Sequence, residues 1–177
     1  MAVEHDAMAA PKVDAPTKVL IVMSPYYAAI SEQQVAGAKA AIEAAGARYE
    51  VVSVPGALEI PTAIKLAAKH FDAFVALGCV VRGETTHYET VCNDSSRGLA
   101  LLGLEGLCIG NGILTVENMD QAIVRADASG QNKGGGAAEA ALHLLSIKRR
   151  FTTPAKRHIA PASEHILMAG DPDKGTA

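Results

Sequence analysis

The stretch Leu77–Glu89, LGCVVRGETTHYE, changes period in its middle. An apolar run suited to a buried strand stops at Arg82 and Gly83, and a helix is expected to open at Thr86 with His87 in its first turn. Thr86 followed three residues later by Glu89 has the spacing of a capping box, in which each side chain satisfies a free backbone N–H. The remaining N–H groups and the positive end of the helix dipole favour a phosphate or oxyanion and disfavour an imidazolium. His87 is therefore expected to be uncharged near neutral pH, and a bound phosphate would act in the opposite direction. The plainer reading is a surface histidine in a capped turn.

Outward from this joint, apolar runs alternate with amphipathic ones. Strands are expected over Lys18–Ser24, Tyr49–Val54, Phe71–Val81 and Leu107–Thr115. Helices are expected over Ser31–Ala45, Ile60–His70 and from His87 to about Gly103. Val35, Ala38, Ile42 and Ala45 share a face of the first, and Gly46 stops it. Asn118 with Gln121 opens a short helix to about Ala126, the glycine-containing loop ASGQNKGGG follows, and a last helix runs to Arg150. The order βαβαβαβ with two closing helices predicts an α/β fold, a parallel sheet covered on both faces. Ligands then belong beyond the carboxyl ends of the strands, at Ser24–Tyr27, Pro55–Glu59, Arg82–His87 and Asn111–Thr115.

Length and composition limit the alternatives. A chain of 177 residues that is 49% hydrophobic can bury one core, placed here at residues 18–151. Residues 1–17 read as a flexible arm and 152–177 as an extension without its own core, expected to be disordered. A net charge of −3, scattered Lys and Arg, and 4 Tyr, 3 Phe and no Trp give no nucleic-acid surface. No run reaches the roughly 18 apolar residues of a membrane span. Cys79, Cys92 and Cys108 lack metal-ligand spacing and read as free thiols in a reducing cytoplasm.

Several strand-end residues have a chemical and a structural reading. Tyr26 and Tyr27 either clamp a planar heterocycle or divide between core and surface. In VPGALEIP, Val54–Pro61, Glu59 and the turn N–H groups suit a polyhydroxylated chain, or Glu59 simply complements a helix start. Arg125 and Lys133 suit a phosphate, or Arg125 only completes a last turn. Gly134, Gly135 and Gly136 follow a loop and not a strand, and so are no dinucleotide fingerprint.

Four motifs in order, VPGALEIP, LGCVVRGETTHYE, GILTVENMDQAIVRA and NKG, resemble the 6,7-dimethyl-8-ribityllumazine synthase family of riboflavin biosynthesis from about Lys18 to Phe151. The resemblance implies a flavodoxin-like three-layer αβα sandwich with a four-stranded parallel sheet, and a cytoplasmic homopentamer or multiple of pentamers. It implies condensation of 5-amino-6-(D-ribitylamino)uracil with 3,4-dihydroxy-2-butanone 4-phosphate, without cofactor or metal. Tyr26 would stack on the pyrimidine, Ala57, Leu58 and Glu59 would line the ribityl chain, and Val80 and Val81 would flank the ring. Gly83, Glu84 and Thr85 would lie on the phosphate side, with His87 as acid/base. Arg125 would bind phosphate from a neighbouring subunit with Lys133 close by, and Asn111 would face the ring from that neighbour.

Three positions depart from the family's usual pattern. Asn111 replaces a common Phe and so removes a stacking wall; Gly136 stands where an acid often orients the histidine; Glu84 adds a charge beside the anion. The missing acid motivates a second reading, a flavin- or lumazine-binding carrier or capsid protein of the same fold with weak turnover. A third is a monomeric phosphate-binding regulator.

Overall fold

The computed structural model describes residues 8, 10–13 and 15–152. Four strands, β1 Lys18–Met23, β2 Arg48–Ser53, β3 Ala73–Val81 and β4 Ile109–Val116, form one parallel sheet in the order β2-β1-β3-β4. Five helices join and close it: α1 Ala28–Ala44, α2 Ile60–Ala67, α3 His87–Leu104, α4 Met119–Ala126 and α5 Lys133–Thr152. This is the parallel sheet covered on both faces that the alternation predicts, and the flavodoxin-like three-layer sandwich that the resemblance implies.

Strand periodicity sorts the core into layers. Val19, Ile21, Val75 and Leu77 point to one face, where they pack with Ala38 and Ile42 of α1 and Ala138, Ala141 and Leu142 of α5. The alternate residues Leu20, Val22, Phe74 and Ala76 point to the other face, against Ile60 and Ile64 of α2 and Leu99 and Leu102 of α3. A third cluster gathers Ile30, Cys79, Leu114, Val116, Ala122 and Ala126 around α4. Both sheet faces are covered because crossovers from β1 and β2 pass on opposite sides.

Some boundaries differ from the sequence expectation for local reasons. Helix α1 begins at Ala28, because Tyr27 already supplies the extended N-cap backbone and its carbonyl accepts from the Ile30 and Ser31 N–H groups. It ends at Gly46, whose φ of +83° lets the chain close with Gly46 N–H on Glu43 and Ala47 N–H on Ile42. Between β2 and α2, Ala57–Glu59 forms a single 3-10 turn. The expected glycine loop is partly wrong: Gly134, Gly135 and Gly136 lie inside α5, whose first residue is Lys133. A Cβ on Gly134 would sit 2.1 Å from the Gln34 carbonyl, so the glycine permits α5 to lie directly on α1.

Asn118 caps α4 as expected, its Oδ1 accepting from Gln121 N–H at 3.0 Å. Of the expected N-terminal arm, Val13 N–H donates to the Ala45 carbonyl at 3.0 Å, and Ala10 and Val13 pack on the core. Of the expected C-terminal extension, residues 152–177, Thr152 is the last residue of α5, and residues 153–177 lie outside the described residues. Among the described residues no helix is long and apolar enough to cross a membrane.

Candidate active site

The sheet order reverses direction between β1 and β3, and the crevice beyond their carboxyl ends is where such folds bind ligands. A cleft of about 410 Å³ lies there. Its walls come from the segment after β1, the 3-10 turn after β2, and the end of β3 with the turn into α3. Nine of the expected residues share it: Tyr26, Ala57, Leu58, Glu59, Val80, Val81, Gly83, Thr85 and His87. Ser24 ties two of the walls together, its buried hydroxyl donating to the Pro55 carbonyl at 3.4 Å.

The two tyrosines divide their roles. Tyr27 is partly buried beside Ile30 and Cys79, whereas Tyr26 is 73% exposed. Their rings meet edge to face, 5.1 Å apart at 70°, so they do not form parallel jaws around one planar ring. Tyr26 alone offers a free face. Burial, then the neighbouring Tyr26, pushes the Tyr27 phenol upward and keeps it neutral. At the opposite wall the Glu59 carboxylate folds back over the turn, 3.0 Å from where a Cβ on Gly56 would stand.

The capping box at Thr86 does not form. Thr86 has helical backbone angles and makes no side-chain cap; the Thr85 hydroxyl accepts instead from His87 N–H at 3.4 Å. Glu89 pairs instead with Arg82, whose Nε also donates to Glu117 at 2.6 Å. The Arg82 hydrogen bond is the main reason that the Glu89 carboxyl lies below its usual range. An ion partner one residue beyond the predicted strand end outcompetes the local cap. His87 is exposed at the cleft wall beside Tyr88. Glu84 is exposed and does not line the cleft, which keeps its charge off the wall that the anion would face.

Asn111, Arg125 and Lys133 lie elsewhere. They line a second depression of about 440 Å³ with Gly136 and Ala137, between β4, α4 and α5, and it shares no lining residue with the cleft. Asn111 is not at a strand end as the sequence reading has it. It is the third residue of β4, opposite Ala76, and its Oδ1 accepts from Ile113 N–H at 3.0 Å. Arg125 donates to the Gln121 carbonyl at 3.0 Å, and among the described residues neither it nor Lys133 has an ion-pair partner. Among the described residues the depression thus presents two cations and no acid.

Sequence reasoning missed Cys79, Tyr88 and Val91 as cleft residues. Tyr88 and Val91 follow His87 at helical spacing, a signal that reads equally as core. Burial pushes the Cys79 thiol up to about 11, so it lines the cleft as a neutral apolar surface. Among the described residues no group of three or more His, Cys, Asp or Glu could hold a metal.

The fold and cleft define a parallel three-layer α/β protein with a cleft at its topological switch point. Residues 16–149 match the profile of the family described as 6,7-dimethyl-8-ribityllumazine synthase, and the chain belongs to that family. A protein of that name from Jannaschia sp. is 56% identical over 146 residues, covering 81% of this chain and 82% of its own. Another from Methylorubrum extorquens is 57% identical over 141 residues, covering 75% and 82%. A third, from Zymomonas mobilis, is 53% identical over 137 residues, covering 76% and 99%.

Proposed function

We propose that the chain condenses 5-amino-6-(D-ribitylamino)uracil with 3,4-dihydroxy-2-butanone 4-phosphate to 6,7-dimethyl-8-ribityllumazine, releasing phosphate and water, as a cytoplasmic homopentamer or multiple of pentamers. The observation that carries this reading is the separation of the two half-sites. Among the described residues the cleft holds an aromatic face, a polar turn with Glu59, and His87, but no Lys or Arg; Arg125 and Lys133 stand in a different depression. A phosphorylated substrate needs both, and one copy's depression set against the next copy's cleft supplies them. Strand β2 supports association, since it is a sheet edge with Val51 and Val52 exposed on its two faces.

Each chemical step then has a group to serve it. The pyrimidine stacks on Tyr26, and its ribityl hydroxyls meet Glu59 and the turn at Gly56 and Ala57. The phosphate lies against the loop at Gly83 and Thr85, facing the neighbour's Arg125 and Lys133, while Val80 and Val81 flank the ring and Asn111 faces it from the neighbour. The amine attacks the ketone, the carbinolamine loses water, phosphate leaves carbon, and the ribityl-bearing nitrogen closes the second ring on the remaining carbonyl with loss of a second water. His87 accepts and returns the protons of these steps, a contribution of about 10²- to 10⁴-fold in general. Holding two substrates side by side contributes through effective molarities that reach ~10⁵ M.

The direct test is lumazine absorbance on mixing both substrates with the protein, alongside light scattering. Turnover above the spontaneous rate and a mass several times 18.3 kDa are expected. A monomer, or a rate equal to the spontaneous one, overturns the reading. Co-expression of His87→Ala with Arg125→Ala separates a shared site from an internal one: mixed rings regain activity only if the two residues act from different chains.

A further inference from the structure

Arg82 is the first residue past β3, and its N–H donates to the Val116 carbonyl at 2.9 Å, extending the β3–β4 ladder by one bond. The chain must then leave the sheet and enter α3 within five residues. Its guanidinium holds three partners from three directions: Glu89 in the first turn of α3, Glu117 just before α4 through Nε at 2.6 Å, and the Tyr88 ring, whose centroid is 4.2 Å from the guanidinium carbon. Tyr88 and His87 both line the cleft. Beyond Glu117, the contacts continue: Glu117 N–H donates to Gln121 Oε1 at 3.1 Å, and the Gln121 carbonyl accepts from Arg125.

The cluster's place in the fold matters more than its worth to stability. The Arg82, Glu89 and Glu117 side chains are 41%, 46% and 57% exposed, and ion pairs that wet add little to stability. Two carboxylates take the Arg82 Nε and Nη1 donors and a ring lies against its plane, which makes it a poor bidentate phosphate ligand. What the geometry does fix is the entry and exit of the Gly83–Thr86 turn relative to α4.

We propose that Arg82 is a positioning residue that holds the Gly83–His87 loop in its anion-receiving shape by tying the first turn of α3 to the start of α4. Through Glu117 and Gln121 it also steadies the helix that carries Arg125. The proposal rests on the functional reading above and assigns Arg82, Glu89 and Glu117 a task in it.

The test varies each substrate separately with the intact oligomer. In Arg82→Gln, KM for the phosphorylated ketone rises about tenfold to a hundredfold, the range for a slightly misplaced site, while KM for the pyrimidine stays within about twofold. Glu117→Gln shifts the same constant by a smaller factor, the double variant is less than additive, and Arg82→Lys recovers part of the loss. Equal changes in both constants, or none, overturn the proposal. So does a full Arg82→Gln effect with Glu117→Gln and Glu89→Gln both silent, because that pattern marks a direct phosphate ligand. If Arg82→Gln fails to assemble, the two Glu→Gln variants carry the test on the same terms. If the wild type makes no lumazine, the functional reading fails separately, and inorganic phosphate followed by ³¹P NMR decides: weaker binding in Arg82→Gln, Glu117→Gln and Glu89→Gln alike supports a held loop, and unchanged binding overturns it.

Discussion

Gly110 of β4 faces the Ala137 carbonyl of α5 so closely that a Cβ built on the glycine would lie 1.7 Å from that oxygen. The neighbouring Gly112 is nearly as tight, 2.7 Å from a Leu77 methyl and 3.0 Å from the Ala137 Cβ. The two glycines let α5 settle on the edge strand. That contact builds the floor of the depression holding Lys133 and Arg125.

Gly110→Ala is therefore expected to destabilise the fold by about 1–3 kcal/mol or more, because the atom in the way is backbone and cannot rotate aside. Urea unfolding measures it. A midpoint unchanged from wild type would show that α5 shifts freely.

His87→Ala is expected to lower turnover by roughly tenfold to a few hundredfold, with the Tm unchanged. The side chain is exposed and packs against no core, so stability should not follow rate. Steady-state kinetics beside thermal melting checks both. An undetectable rate with the fold intact would count against substrate positioning as the larger contribution.

Gly136 is the fourth residue of α5, and a Cβ there meets nothing within 4 Å. Gly136→Asp should raise stability by about 0.5–1 kcal/mol, through lost glycine entropy and a favourable charge in the first helical turn. If an acid at this place orients His87 of the adjoining copy, turnover rises severalfold as well. Unchanged turnover in a stabilised variant would show that His87 works without an acidic partner.

Burial raises the Cys79 thiol from 9.0 to about 11, with desolvation as its cause. The sign follows directly: the folded state resists ionisation, so this group's contribution is intact below pH 9 and is lost as pH rises through about 11. Urea midpoints should fall over that window, and less steeply in Cys79→Ala. Alkylation of native Cys79 near pH 8 should also be slow beside that of the unfolded chain. Rapid labelling would mean that the cleft opens to the strand end.

How much of this was legible in the sequence depends on whether a signal is local. The Asn118–Gln121 cap and the Gly46 stop involve residues within five positions, and both are present. The Thr86–Glu89 box has equally good spacing, yet Glu89 is taken by Arg82, and Arg82 is set where Glu117 also reaches it. The NKGGG run carries every local mark of a loop. Its last four residues are helical because Asn132 bonds Gly135 N–H, while Gly134 packs on α1 and Gly135 on Asn132.

Hydrophobic period and turn chemistry, which are properties of neighbouring residues, already mark the strands, the helices and the strand ends where ligands belong, and the family motifs name the nine residues that share the cleft. Only the tertiary structure decided that Tyr26 and Tyr27 stand edge to face, that Asn111 lies inside β4, and that Arg125 and Lys133 belong to a different surface from His87. Those facts depend on which strand is the sheet edge and on how closely α5 can approach it, and packing across the whole chain sets both.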